Sequence, residues 1–145
     1  LVAPIINGQC DAVFGSRMSV KRNALLGGMP YWKFIANIFL TRIENFILGM
    51  NLTEYHSGFR AYSAKFLKSV PFMLNSDGFI FDTDIIVEGL LKQMRIEEGP
   101  IRTRYFDEAS TIRFFPSVIY GLGILITLMK AVIHRNGFIR FKQFE

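Results

Sequence analysis

The side chains of this sequence best suited to chemistry are a set of cations near turns and a cluster of acids before a helix. Arg17 closes a short β-prone run, Lys21 and Arg22 follow it, Lys33 lies in the first turn of a helix, Arg60 in a strand, and Arg102 and Arg104 in a later extended run. A guanidinium at the end of a strand suits phosphate, because its planar fork meets two oxygens at once and a rigid element fixes its direction. For any one of these residues a solvated surface charge is the commoner role. Asp82 and Asp84 stand two apart at the start of a helix, with Asp77 nearby. Such acids could bind a metal, position an acceptor, or simply cap the helix. His56, within Tyr55-His-Ser-Gly58, reads as a hydrogen-bonded loop residue, since no partner acid or nucleophile is identifiable. Tyr31 and Trp32 read as helix-packing residues. No Gly-x-x-x-x-Gly-Lys loop, Gly-x-Ser-x-Gly elbow or His-Glu-x-x-His helix occurs, which excludes the most recognisable nucleotide-hydrolysing, esterase and metalloprotease signatures.

These residues belong to a chain of 145, half of it hydrophobic, which is enough for one compact core but not for two. With only 20% charged residues, intrinsic disorder and coiled-coil arrays fit poorly. The single cysteine, Cys10, rules out an internal disulfide framework and fits a reducing compartment, and the lack of Cys and His clusters removes the usual zinc arrangements. The net charge of +5 permits an anionic partner. Its distribution is more informative: residues 1–43 carry five basic groups against one acid, residues 44–98 five against eight, and residues 99–145 seven against three. A basic start and a basic end bracketing an acidic middle are not the continuous basic face of a nucleic-acid-binding domain, so nucleic acid is not an expected partner. The chain opens on Leu-Val-Ala-Pro without a basic leader or an initiator Met, which leads us to expect a fragment.

Asp11 to Arg17 reads as a strand ending in a Gly-Ser turn, and Met18 to Met29, without sustained periodicity, as a mobile basic loop. Pro30 suits the first turn of a helix in which Phe34, Ile35, Ile38, Phe39, Ile43, Phe46 and Ile47 recur at three- and four-residue steps, with Gly49 at its end. Gly58 to Tyr62 alternates like a half-buried strand, and a short helix follows at Ala64 to Val70, stopped by Pro71. After the Asn75-Ser-Asp-Gly78 turn, Asp82 and Asp84 are placed to cap a helix running to about Met94 on a stripe of Ile85, Ile86, Leu90, Leu91 and Met94. Short extended runs, Arg95 to Glu98 and Ile101 to Phe106, flank Gly99-Pro100. Phe114 to Met129 is sixteen residues without a charge, followed by Lys130, His134, Arg135, Arg140 and Lys142. A bilayer span takes about 20 largely apolar residues, so a helix lying in the membrane interface is the preferred reading, against a core helix.

Taken together these segments resemble the C-terminal half of a family 2 glycosyltransferase, similar to dolichol-phosphate mannosyltransferases and bacterial polyprenyl-phosphate glycosyltransferases. The matching pieces are Asp11-Ala-Val-Phe-Gly-Ser-Arg17, the helix from Met29-Pro30 through Asn37 and Thr41, Leu52-Thr-Glu-Tyr-His-Ser-Gly-Phe-Arg-Ala-Tyr62, Asn75 to Asp84, and Gly99-Pro-Ile-Arg-Thr-Arg-Tyr105 running to Ser110. The Ser-Gly-Phe-Arg piece is the most specific. The resemblance implies an α/β fold, the C-terminal half of a GT-A (nucleotide-diphospho-sugar transferase), Rossmann-like domain. It divides into an acceptor-side part over residues 1–111 and an apolar, then basic, helical segment over 112–145.

The implied reaction transfers one sugar from a nucleotide-sugar to a polyprenyl phosphate at the cytoplasmic face of a membrane. By the resemblance, Arg17 and Lys33 hold the acceptor phosphate, with Asn37 one turn on from Lys33 and so on the same helix face. Arg104 matches the contact to the donor diphosphate, and Asp82 and Asp84 border the reacting centre. Lysine at position 33, where relatives have arginine, gives up bidentate geometry. A divalent metal, Mg²⁺ or Mn²⁺, is expected for the whole enzyme, its ligands mostly outside this chain, because the Asp-x-Asp pair of relatives lies about 100 residues before the Gly-Ser-Arg turn, a domain's worth of chain. Leu1 to Gly8 then correspond to the helix after that metal motif. The Gln-x-x-Arg-Trp signature of processive synthases is missing, in keeping with one sugar per cycle. The alternative is a non-catalytic membrane-associated or partner-binding module derived from a split or degenerate transferase.

Overall fold

Ala12–Ser16 (β1) is a run of small and apolar residues with every member buried, as expected for a strand covered on both faces. In the computed structural model, which describes residues 1–102, 104 and 114–145, β1 is the middle of a three-stranded mixed sheet. Arg60–Tyr62 (β2) pairs with it antiparallel, Val13 opposite Ala61, and Ile96–Pro100 (β3) pairs parallel, Val13 opposite Glu97. The strand expected to end at Glu98 continues through Gly99 to Pro100, where a missing N–H costs nothing because β3 lies at the sheet edge. Ile101, Arg102 and Arg104 are outside regular structure, and the remainder of the expected run to Phe106, like the 111/112 boundary, lies outside the described residues.

Asp11 joins the two ends of this frame. It accepts hydrogen bonds from the Arg95 main chain (3.0 Å) and side chain (3.2 Å) and is paired with Lys65 at 3.3 Å. The Arg95 main-chain and side-chain bonds, with help from Lys65, hold its carboxyl down to about 2 against the effect of burial. One face of the sheet carries the main core: Phe14, Leu52, Tyr55, Phe66, Val70, Ile85 and Ile86. Each such large side chain contributes about 1.5–3 kcal/mol by leaving water.

The helices are Ala3–Ile6 (α1), Lys21–Leu26 (α2), Tyr31–Leu48 (α3), Ala64–Ser69 (α4), Phe81–Leu91 (α5) and Phe114–Arg135 (α6). α3 ends as its sequence requires, with Gly49 left-handed at φ 71°. α4 starts on Ser63, whose hydroxyl accepts from Phe66 N–H at 3.0 Å. The basic stretch 18–29 is no mobile loop. Its α2 is six residues long, too short to register as periodicity, and Met18, Ala24 and Met29 form a buried cluster with Phe34 and Ile38 of α3. Asp82 and Asp84 lie in the first turn of α5 but make no capping bond, because the helix is entered through a 3₁₀ turn at Gly78–Ile80. α5 is buried around almost its whole girth, from Thr83 to Gly89.

The largest departure from expectation is the orientation of α3. Its buried residues are Asn37, Thr41 and Glu44, while Ile35, Phe39 and Phe46 are 65%, 60% and 89% exposed. Tyr31 also projects outward at 75%, rather than packing. Asn37 and Thr41 of the polar face have hydrogen-bond partners inside, and Glu44 faces His56 there, as set out below. α6 packs on α3 and α5 through Ile124, Leu128 and Ala131 and leaves Phe115, Ile119, Leu122 and Met129 exposed.

Two consequences can be measured. A Cβ on Gly89 would stand 2.4 Å from Phe66 Cζ, in the middle of the core. Gly89→Ala should therefore destabilise the fold by about 1–2 kcal/mol in urea titration, since overpacking of about 1–3 kcal/mol exceeds the helix-propensity gain of about 1 kcal/mol. Glu88, fully buried, has its carboxyl pushed up from 4.5 to about 7, chiefly by burial, with the Asn75 amide pulling it down and Asp84 pushing it up. The folded state thus holds a proton that the unfolded chain releases; this contribution to stability is complete below about pH 4.5 and is lost as pH rises through about 7. Between about pH 5 and pH 8 the wild type should lose unfolding free energy relative to Glu88→Gln, measured in parallel urea titrations.

Candidate anion-binding site

β1 delivers Arg17 directly from its C-terminal end, so the backbone entering the site is held by the sheet. Ser16 keeps the exit in place through a 2.6 Å hydrogen bond with Thr53, and Thr53 in turn donates from its N–H and hydroxyl to Glu98 of β3. The segment from Asn51 to Phe59 then wraps the end of the sheet, with Gly15 N–H donating to Phe59 C=O at 2.7 Å.

At the centre is a carboxylate that did not stand out in the sequence. Glu54 is buried; its Oε2 accepts from Arg17 main-chain N–H at 2.7 Å, and its Oε1 accepts from Arg17 Nε at 2.8 Å and from Arg17 Nη2. The same Oε1 accepts from Asn37 Nδ2 at 2.8 Å, and Asn37 Oδ1 accepts from the Thr41 hydroxyl at 3.3 Å. Arg17 Nη2 also donates to His56 C=O at 3.1 Å. Lys33 lies one turn before Asn37; burial and then the nearby Arg17 charge lower its pKa. Arg17, from the end of β1, is thus brought beside Lys33 and Asn37, which stand one turn apart on α3. A cleft of about 450 Å³ opens against Arg17, lined also by Ser57, Gly58, Phe59, Ile101 and Arg102, and a second of about 300 Å³ shares Arg17, Ile101 and Arg102; Lys33 and Asn37 line neither. Arg104 is exposed and lines neither of these two clefts.

The two acids of α5 take different partners. Asp82 lies 3.6 Å from Arg60 Nε, and Arg60 also donates to Asp82 C=O at 2.7 Å. Burial raises the Asp82 pKa, and Arg60 and then His56 oppose that rise. Asp84 is buried with both oxygens engaged: Oδ1 accepts from the Thr127 hydroxyl of α6 at 2.9 Å and Oδ2 from Ser76 N–H at 2.9 Å. Arg60 itself is fixed over the Phe14 ring at 4.7 Å and donates to Ser57 C=O at 2.9 Å. Among the described residues no group of three His, Cys, Asp or Glu side chains converges on a metal-sized site.

His56 is a hydrogen-bonded residue, as its context suggested, but it does have an acid. Its Nε2 is 3.2 Å from Glu44 Oε2 of α3, and its Nδ1 is 3.1 Å from the Tyr120 hydroxyl of α6. Glu54 accounts for the inward turn of Asn37 and, through it, Thr41, while Glu44 faces His56 without a hydrogen bond. Neither could be found from local pattern, since their partners lie 12 and 37 residues away; the available signal was a lone acid in the otherwise aromatic and hydroxyl-rich run from Asn51 to Gly58.

No protein-family profile and no solved structure matches the chain. An uncharacterized protein of Methanocaldococcus jannaschii is 33% identical over 129 residues, which are 89% of this chain and 51% of that protein. The low-salt glycan biosynthesis hexosyltransferase Agl6 of Haloferax volcanii is 27% identical over 117 residues, 80% of this chain and 27% of its own length. A UDP-N-acetylglucosamine–dolichyl-phosphate N-acetylglucosaminyltransferase of Methanococcus voltae is 30% identical over 105 residues, 72% of this chain and 41% of its own. The chain spans about half the length of these curated relatives, or less. The similarity to two named glycosyltransferases supports a relationship of this chain to glycosyltransferases in general, and its mixed α/β fold is compatible with part of such a domain.

Proposed function

We propose that this chain forms the acceptor side of a glycosyltransferase that moves a single sugar from a nucleotide-sugar to a polyprenyl phosphate at the cytoplasmic face of a membrane. On this reading the fold is the C-terminal half of a GT-A domain. The observation that carries it is the joining of Arg17, Lys33 and Asn37 at the foot of α3, a helix that turns its aromatic and aliphatic side chains outward. A phosphate on a long apolar tail needs such a combination, cations for the head and an apolar surface beside them. The dolichyl-phosphate acceptor in the name of the Methanococcus voltae relative supports the same choice.

The chemistry asks for orientation more than for a strong base. A phosphate monoester is anionic near neutral pH, so its oxygen can attack the anomeric carbon once it is aligned and its charge is balanced. The new oxygen–carbon bond forms as the bond from that carbon to the nucleoside diphosphate breaks, with inversion, and the diphosphate leaves with the electron pair. Arg17 and Lys33 orient and neutralise the acceptor phosphate, and Asn37 supplies a neutral polar group on the same helix face. Of the two acids, Asp82, with 27% of its side chain exposed, is the one able to face the reacting centre, while Asp84 is committed to Thr127 and Ser76. Arg104 is left to the donor diphosphate. Mg²⁺ or Mn²⁺, expected for the whole enzyme, is given no step among these residues.

Membrane contact follows from the exposed faces of α3 and α6. Residues Phe115–Arg135 are long and apolar enough to cross a membrane by length and composition. We place α6 in the interfacial plane instead, because its inner face is buried against α3 and α5, leaving only the outer face for lipid. Lys130, Arg135, Arg140 and Lys142 then stand at headgroup level.

The test uses the whole protein containing this chain, with labelled nucleotide-sugars, Mg²⁺ or Mn²⁺, and polyprenyl phosphate. Arg17→Lys keeps the charge that offsets Glu54 but loses the rigid guanidinium that Glu54 holds in place, so it should raise KM for the lipid phosphate about tenfold or more while leaving KM for the nucleotide-sugar within about twofold. Equal loss for both substrates, or no glycolipid with any donor, would overturn the reading.

A further inference from the structure

We infer that Glu54 is a positioning residue: its buried carboxylate presets Arg17 and Asn37 for an incoming phosphate monoester. The inference rests on the acceptor-site reading above. It goes further by naming the group that makes the site competent before any ligand arrives.

The geometry is that of a clamp. Four N–H donors converge on two oxygens, three of them from Arg17 and one from Asn37. Oε1 takes three of the four and Oε2 one, so Oε1 has no lone-pair site left for a further donor. Arg17 is held at both ends, by its main-chain N–H to Oε2 and by its guanidinium edge to Oε1, and this fixes the plane of the fork relative to β1. Asn37 shares Oε1 with that edge, so one atom sets the separation between the end of the strand and the face of α3. Because Glu54 is buried, water cannot replace a donor that swings away.

Charge leads to the same conclusion. Arg17 and Lys33 are neighbouring cations, and their mutual repulsion acts against placing both at one site. The buried negative charge of Glu54 offsets one of them and so lessens that repulsion. Removing its charge would withdraw the acceptor that holds Arg17 Nε, Nη2 and main-chain N–H and leave a stronger repulsion toward Lys33, so the guanidinium would lose its aim.

The experiment uses the whole protein containing this chain, in zwitterionic bicelles, and compares binding of farnesyl phosphate with that of farnesol, which isolates the part of the affinity owed to the phosphate. Wild type should prefer farnesyl phosphate at least tenfold. Glu54→Gln should lose most of that preference, hold farnesol within about twofold, and shift or broaden the Arg17 Nε–H signal in a ¹⁵N–¹H spectrum. A fold-only role would weaken both ligands together. If Glu54→Gln does not fold by circular dichroism, Glu54→Asp decides, with an expected threefold or greater loss of preference. A folded variant that keeps the wild-type preference, while Arg17→Lys loses it, overturns the role of Glu54 and leaves the acceptor site standing. A wild-type protein that does not distinguish farnesyl phosphate from farnesol overturns both.

Discussion

A carboxylate removed from water has to be surrounded by donors, and in this protein that requirement at Glu54 ties three distant segments into one unit. The end of β1 supplies Arg17, α3 supplies Asn37, and the segment that wraps the end of the sheet supplies the carboxylate itself. None of the three can shift alone without leaving a buried charge short of partners, a loss that costs several kcal/mol. The rigidity expected of a binding site therefore comes from the same contacts that close this end of the sheet.

The contact with Glu54 also bears on why α3 looks inverted. Asn37, Thr41 and Glu44 occupy its inner face, where Glu54 and His56 lie, and the aromatic and aliphatic residues at the intervening positions are left facing out. α6 is joined to this arrangement by the hydrogen bond between Tyr120 and His56 and by that from Thr127 to Asp84, so an apolar helix is anchored through polar contacts on its inner side. Its outer side remains apolar. Two helices with polar anchors inward and hydrocarbon outward form a surface suited to an oily environment, beside a group of cations suited to an anionic head.

Much of the fold was legible. The strand before Arg17, the span of α3 from Pro30 to Gly49 and the short helix stopped before Pro71 all follow from local chemistry: a β-prone run, a helical period and particular residues at the ends. α2 escaped notice because six residues are less than two turns and no period can be read in them. The acids at the start of α5 were taken by tertiary partners instead of the helix terminus, since an Arg60 side chain and a Thr127 hydroxyl were within reach.

The sequence by itself determined where the elements lie and which types of residue they carry, because helical period, proline, glycine and β-branching act over a few residues. It also placed cations at the ends of strands and at the start of a helix. Only the tertiary structure decided which face of α3 would be buried, that His56 would find Glu44, and that Glu54 would hold Arg17 and Asn37 together. The reason is the range of the forces: a buried charge selects its partners by distance in space, and those partners are separated by 12 to 37 positions along the chain.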